Sequence, residues 1–159
     1  MSRNTSSDST RITRGDAWEV TDGRVEVTAC KIFTSKGERL ELREPGGQYI
    51  RLDAIELESL SWQDPSVFAE LIRDTQDVTG EPTAEPDGIE TDRPLRVSNE
   101  YSEVRLHRAG TTAGEALQIA SEPLHYENVV SPASLRAIIE QDHGLFSQFL
   151  NQPYGPIDD

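Results

Sequence analysis

Residues 37–72, GERLELREPGGQYIRLDAIELESLSWQDPSVFAELI, return in altered form as residues 114–150, GEALQIASEPLHYENVVSPASLRAIIEQDHGLFSQFL. This repetition limits the fold more than any other feature of the chain. The two copies share Gly37-Glu38 with Gly114-Glu115, and Leu40 with Leu117. They also share Tyr49 with Tyr126, Leu57 with Leu135, Gln63-Asp64 with Gln141-Asp142, and Phe68 with Phe146. One extra residue, placed between Tyr126 and Ser131, keeps the register. A repeat of this length is one supersecondary unit used twice. The chain is therefore expected to be two related units in tandem.

Each copy changes its hydrophobic period part-way along. In the first unit, Trp18-Glu19-Val20 and residues 24–29 alternate apolar with polar, as a half-buried strand does. Asp22-Gly23 between them is a hairpin turn pair. The run 30–34 extends the second strand, 39–43 is a third with Leu40 and Leu42 on one face, and 49–52 is a short fourth. Asp53 followed by Glu56 fits a capping box, and Asp64-Pro65 an N-cap with proline at the first helical position. Val67, Phe68, Leu71 and Ile72 give the ensuing helix an apolar stripe. The second unit repeats the plan, with strands at 95–97, 104–106 and 117–119, and Val129-Val130 in the place of residues 50–52. Ser131-Pro132 takes the role of cap and first helical residue. Leu145, Phe146, Phe149 and Leu150 are in register with the stripe of the first unit. The expected class is α+β, a tandem repeat of two units, each an antiparallel β-meander followed by two short helices, related by pseudo-two-fold symmetry.

The expected boundaries are a disordered tail at 1–16, repeat unit 1 at 17–76, an acidic linker at 77–93, repeat unit 2 at 94–152 and a C-terminal tail at 153–159. Residues 1–16 are rich in Ser, Thr, Arg and Asp and offer little to bury. The linker DVTGEPTAEPDGIETDR holds six carboxylates against one arginine, two prolines and two glycines, and reads as an extended, mobile tether. Without tails and linker, about sixty residues remain per unit, a size at which an isolated domain is marginal. The two units are thus expected to bury their apolar faces on each other or on a partner.

The formal net charge is -14. Lys31 and Lys36 are the only lysines beside thirteen arginines. An acidic surface keeps a chain soluble and repels nucleic acid at long range, and concentrated salt screens its self-repulsion within about 3 Å at 1 M. Cys30 is the single cysteine, which excludes an intramolecular disulfide and a cysteine-based zinc site. It lies in an alternating apolar run, where a buried, inert thiol is expected. No apolar stretch is long enough to span a bilayer, and residues 1–15 lack the hydrophobic core of a secretory signal. A soluble, cytoplasmic protein is expected, with no membrane partner.

No catalytic constellation stands out. His107, His125 and His143 lie in three different local contexts, without HExxH spacing. Gly46-Gly47 is not followed by a phosphate-loop pattern, and Ser59-Leu60-Ser61 lacks the glycines of a nucleophile elbow. The expectation is a non-enzyme with no cofactor and no metal. Trp18 and Trp62 are the largest side chains and have no counterpart in the second unit, so they are candidate docking anchors. Tyr154 is the one large side chain of the C-terminal tail, a candidate docking peptide. Tyr49 and Tyr126 are expected to pack beneath their helices with the hydroxyl at the rim.

The block GERLELREPGGQYIRLDAIELESLSWQ resembles small acidic two-repeat proteins of haloarchaea. That resemblance implies a salt-rich cytosol and a tandem fold, and carries no activity or site residues. Within it, YIRLDAIELESL resembles the strand-to-helix segment of the PC4-like transcriptional coactivators. This second resemblance implies single-stranded nucleic acid lying on the sheet, with Arg39, Arg43, Arg51, Arg105 and Arg108 as phosphate contacts. Two function classes follow. The first is a non-catalytic protein-interaction or adaptor module that docks another protein or a second copy of itself. The alternative is a nucleic-acid-binding accessory factor in transcription or repair.

Overall fold

The computed structural model describes residues 11–75, 77–90, 93–141 and 143–150. The fold is α+β, with two antiparallel sheets, each followed by two helices. The first sheet runs β1 (Thr13–Thr21), β2 (Glu26–Thr34), β3 (Gly37–Arg43) and β4 (Tyr49–Leu52) in sequence order. Helices α1 (Ala54–Ser61) and α2 (Pro65–Arg73) follow it. The second sheet comprises β5 (Pro86–Glu90), β6 (Leu95–Ser98), β7 (Glu103–Thr111), β8 (Gly114–Ser121) and β9 (Tyr126–Val130). Helices α3 (Pro132–Ile139) and α4 (Gly144–Leu150) close the described chain.

The helix starts are those that the capping residues specify. The Glu56 amide donates to Asp53 Oδ1 at 2.8 Å, and the Asp53 amide to Glu56 Oε1 at 3.0 Å. Each satisfies a donor that the helix itself leaves open. Asp64 Oδ1 accepts from the Ser66 amide at 2.9 Å, and Ser131 Oγ from the Ser134 amide at 3.1 Å. A proline occupies the first turn of both helices.

One core serves both units. Val20, Leu40, Leu42, Leu52, Leu57 and Leu60 from the first share it with Leu106, Leu117, Ile119, Leu135 and Ile138 from the second. The first helices are exchanged across it. Helix α1 packs chiefly on β7, β8 and β9, and α3 packs on β2, β3 and β4. The pairs α1 with α4 and α2 with α3 also join the units. Each sheet therefore loses its apolar face to water unless the other unit is present.

Three sequence expectations differ from the structure. The first strand begins at Thr13, inside the stretch expected to be a tail. Its register shifts between Arg14 and Ala17, and a shifted strand loses the period-2 pattern by which it is read. The expectation for residues 1–10 lies outside the described residues. Secondly, the linker is docked. Val78 is buried beside Ile72, Ala133 and Ala137, and Pro82 O accepts from the Ser131 amide at 3.1 Å and Ser134 Oγ at 2.7 Å. The Ala84 amide donates to Val129 O at 3.1 Å, and β5 pairs with β7 on the edge that β6 also occupies. Composition registers charge, whereas this segment docks by backbone pairing, which any sequence can supply.

Thirdly, the extra residue of the second unit lies in its hairpin turn. Leu40 faces Leu52 and Arg43 faces Tyr49 on β3 and β4; Leu117 faces Val130 and Ala120 faces Glu127 on β8 and β9. The counterpart of Tyr49 is thus Glu127, and Tyr126 faces Ser121 one step nearer the turn. Because side chains alternate between faces, that step separates two tyrosines which sequence alignment equates. Both rings are exposed, not packed beneath helices.

The exchange leaves a mark on two equivalent glycines. Gly37 and Gly114 have φ of 118° and 121°, a region that side chains avoid. A Cβ on Gly37 would meet only the end of Arg39 at 3.6 Å, but one on Gly114 would lie 2.5 Å from the Asp22 Cα of the other unit. Gly37→Ala is expected to cost about 1–2 kcal/mol from backbone strain alone. Gly114→Ala should cost clearly more, because β1 and β8 must separate. Urea denaturation of both variants checks this; equal losses would contradict the close approach.

Candidate functional site

Alternation along β3 and β4 places Glu41, Arg43, Tyr49 and Arg51 on the face of the first sheet turned away from the core. Glu41 lies opposite Arg51, and Arg43 opposite Tyr49. Glu41 is only 2% exposed, and three arginines gather on it. Arg14 donates from Nη1 to Oε1 at 2.8 Å and from Nη2 to Oε2 at 3.2 Å. Arg43 donates from Nε to Oε1 at 3.2 Å, and Arg51 from Nε to Oε2 at 3.0 Å. The guanidinium carbons of Arg43 and Arg51 lie 4.5 and 4.6 Å from the Tyr49 ring centroid, within cation–π range. Tyr49 remains 45% exposed. Three positive charges on one carboxylate leave a local excess of +2 on a chain of net charge -14. This is a fixed cationic and aromatic patch on an otherwise acidic protein.

Burial alone would raise the Glu41 pKa, but the hydrogen bonds from Arg14, Arg43 and Arg51 outweigh it and hold the carboxyl at about 2. A carboxyl held below its unfolded value stabilises the fold above the unfolded pKa, and that stability is lost as pH falls through the folded pKa. Glu41→Gln should therefore destabilise at pH 7, by about 3 kcal/mol for a broken buried pair. The gap between variant and wild type should close between pH 4.5 and 2, as followed by denaturation at each pH.

At the end of β3, the buried Glu44 faces α3 of the other unit. Arg136 Nε lies 3.4 Å from Glu44 Oε1 without hydrogen-bond alignment, and Glu44 Oε2 has no partner among the described residues. Burial first, and the neighbouring Glu140 second, push the Glu44 carboxyl up to about 7 against the opposing charge of Arg136. Once protonated, the Glu44 carboxyl no longer repels the neighbouring carboxylate and gains a donor of its own. The sign is opposite to that of Glu41: this stability is present at low pH and lost as pH rises from 4.5 through 7. Glu44→Gln is expected to raise the melting temperature at pH 8, with the gain vanishing by pH 5; a gain that does not depend on pH would refute the raised Glu44 carboxyl.

The other residues singled out in the sequence are scattered. Trp18 is 8% exposed and belongs to the shared core, so its ring is not offered to a partner. Trp62 is the C-cap of α1, half-buried, with an indole N–H that has no partner among the described residues. Tyr154 lies outside the described residues. Arg39 donates to its neighbour's Glu38 O at 2.9 Å. Arg105 is paired with Glu122 at 2.9 Å, and Arg108 donates to Glu19 O at 3.1 Å. Three residues apart on β7, these two take opposite faces of the strand. Of the five arginines, Arg43 and Arg51 gather on Glu41, whereas Arg39, on the same face of β3, gives its Nη1 to the Glu38 carbonyl, and Arg105 and Arg108 belong to the second sheet.

Sequence reasoning missed Arg14, assigned to the tail, and Tyr49 as a partner of arginines. The signal for Tyr49 was present: it is two residues before Arg51, and the Pro45-Gly46-Gly47 turn brings it opposite Arg43. Cys30 is buried, with its thiol 3.4 Å from Lys31 O. His107 and His125 border one open cleft of about 390 Å³ with Arg105 and Glu122, and His143 Nδ1 is 2.7 Å from Glu56 Oε2. Among the described residues, no three His, Cys, Asp or Glu side chains are placed to hold a metal ion. No described helix is long and apolar enough to cross a membrane.

Comparison with known proteins adds no relative: no family model matches the chain, and no curated protein matches it.

Proposed function

We propose that the protein is a non-catalytic interaction module of a salt-rich cytosol, docking a partner protein on the outer face of its first sheet. Its two units are read as related by pseudo-two-fold symmetry, with only the first bearing the docking patch. The observation that carries this reading is the Tyr49 ring, half exposed and held under Arg43 and Arg51 by the buried Glu41. Tyrosine and arginine are the residue types that dominate binding hot spots, and side chains fixed beforehand lose little freedom on docking. The second unit has Ala120, Glu127 and Val129 at the positions of Arg43, Tyr49 and Arg51, so the patch is not a by-product of the fold. In concentrated salt the long-range field of the acidic chain is screened, and short-range pairing at the patch decides the partner.

A second reading, single-stranded nucleic acid as the ligand, is favoured by one observation. Tyr49 interleaves with the arginines, supplying the aromatic element such surfaces combine with cations. The two readings separate in one experiment. Wild type and a Tyr49→Ala/Arg43→Ala variant, both checked for folding by circular dichroism, are used to capture partners at high salt before and after nuclease treatment. The expected result is a defined protein that survives nuclease on wild type and is lost from the variant. Equal capture by the variant would refute the docking patch. Loss of everything on nuclease treatment, with wild type retaining labelled oligothymidylate, would replace the protein with nucleic acid.

A further inference from the structure

The two sheets end differently at their fourth strands. On β9, the edge is covered by the chain itself: Thr83 forms an antiparallel bridge with Val130, and the Ala84 amide donates to Val129 O at 3.1 Å. On β4, the corresponding edge has no backbone partner among the described residues. Its register can be read from the turn. Gln48 O accepts from the Glu44 amide at 2.8 Å, so Gln48 turns its backbone groups toward β3. In an antiparallel ladder the neighbours alternate, and Tyr49 and Arg51 therefore turn their N–H and C=O groups outward. Arg51 faces Glu41 as Val129 faces Gln118, which makes Arg51 the counterpart of the residue that the linker binds on β9.

An open cleft of about 530 Å³ runs beside this edge. Gln48 and Ile50 border one side, and Ile139, Glu140, Gln141 and His143 the other. On the outer face, Arg51 gives only its Nε to Glu41, so its terminal nitrogens have capacity for a second carboxylate.

From this geometry we infer that β4 takes up an extended segment of a partner protein as an added antiparallel strand, one in which carboxylate and apolar side chains alternate. The segment's carboxylates lie on the outer face opposite Tyr49 and Arg51. Its apolar residue, opposite Ile50, faces the cleft toward Ile139. Main-chain pairing supplies affinity and the alternate side chains supply selectivity, as in other strand additions. The chain's own linker shows the mode of closure, pairing antiparallel on β9 with Thr83 opposite Val130 and Ala84 opposite Val129; the carboxylates expected on β4 answer Arg51, whose place on β9 is taken by Val129. The inference rests on the interaction-module reading and names the kind of segment that it docks.

The test uses full-length protein and a fluorescent peptide of alternating glutamate and valine. Controls are its lysine–valine analogue and a version N-methylated at alternate residues. Wild type is expected to bind the glutamate–valine peptide and to fail with the N-methylated one. Arg51→Glu should weaken that binding about tenfold and gain binding of the lysine–valine analogue. By amide exchange, Tyr49 and Arg51 should exchange fast in the free chain and about tenfold more slowly in the complex. Absence of peptide binding, indifference to N-methylation, or protection of both amides already in the free chain would each overturn the inference. A partner captured through Tyr49 and Arg43 with unprotected β4 amides would refute strand addition alone and leave the module reading standing.

Discussion

Everything in this fold depends on the burial of each sheet's apolar face beneath a helix from the other half of the chain. Leu57 and Leu60 of α1 lie over β7, β8 and β9, while Leu135 and Ile138 of α3 lie over β2, β3 and β4. All four are fully buried, and each contributes on the order of 2 kcal/mol of hydrophobic free energy. Polar groups fasten the same joint. Asn128 Nδ2 reaches the carbonyls of Leu60, Ser61 and Gln63 at 2.8, 3.3 and 2.9 Å, closing the C-terminal end of α1 from β9. Such carbonyls have no partner within their own helix. Glu58 likewise reaches across, accepting from Ser102 and Ser121.

That arrangement explains how two similar units can differ so much on their outer faces. Inward positions are held by the shared core, with Leu40 and Leu117, Leu42 and Ile119, and Leu52 and Val130 closely matched. Outward positions carry no such constraint. There the first sheet gathers arginines around Glu41, and the second places Gln118, Ala120 and Val129. One inward exchange is polar: Asn128 stands where the first unit has Ile50, and it is the residue that fastens α1. The asymmetry of the site is thus an asymmetry of the surface, permitted by a common interior.

Much of the architecture was legible in the sequence because it is written in local signals. The Asp53–Glu56 capping box, Asp64-Pro65 and Ser131-Pro132 fix where helices begin, and the alternation at 39–43 and 117–119 marks strands without tertiary knowledge. What was not legible depends on partners distant in sequence. Arg14 looks like tail until Glu41, 27 residues away, is placed opposite it. The linker looks solvated because its backbone pairing with β7 and β9 leaves no trace in composition. Trp18 looked like an anchor because size does not reveal which face a residue takes beside a bulge. Tyr126 looks like the counterpart of Tyr49 because the one-residue difference in turn length is invisible until the strands are paired.

The crossing of α1 and α3 has a thermodynamic meaning as well. A unit whose sheet is roofed chiefly by its neighbour has little closed interior of its own, so the two halves of this chain stand to one another as the subunits of an obligate dimer do. Their encounter would be bimolecular, and the stability concentration-dependent, were they separate chains. The linker makes it intramolecular, at an effective concentration set by its length. Folding therefore does not weaken as the protein is diluted. Because Pro82 and Ala84 are themselves bound to the second unit, the tether also limits which orientations the halves can sample before they close.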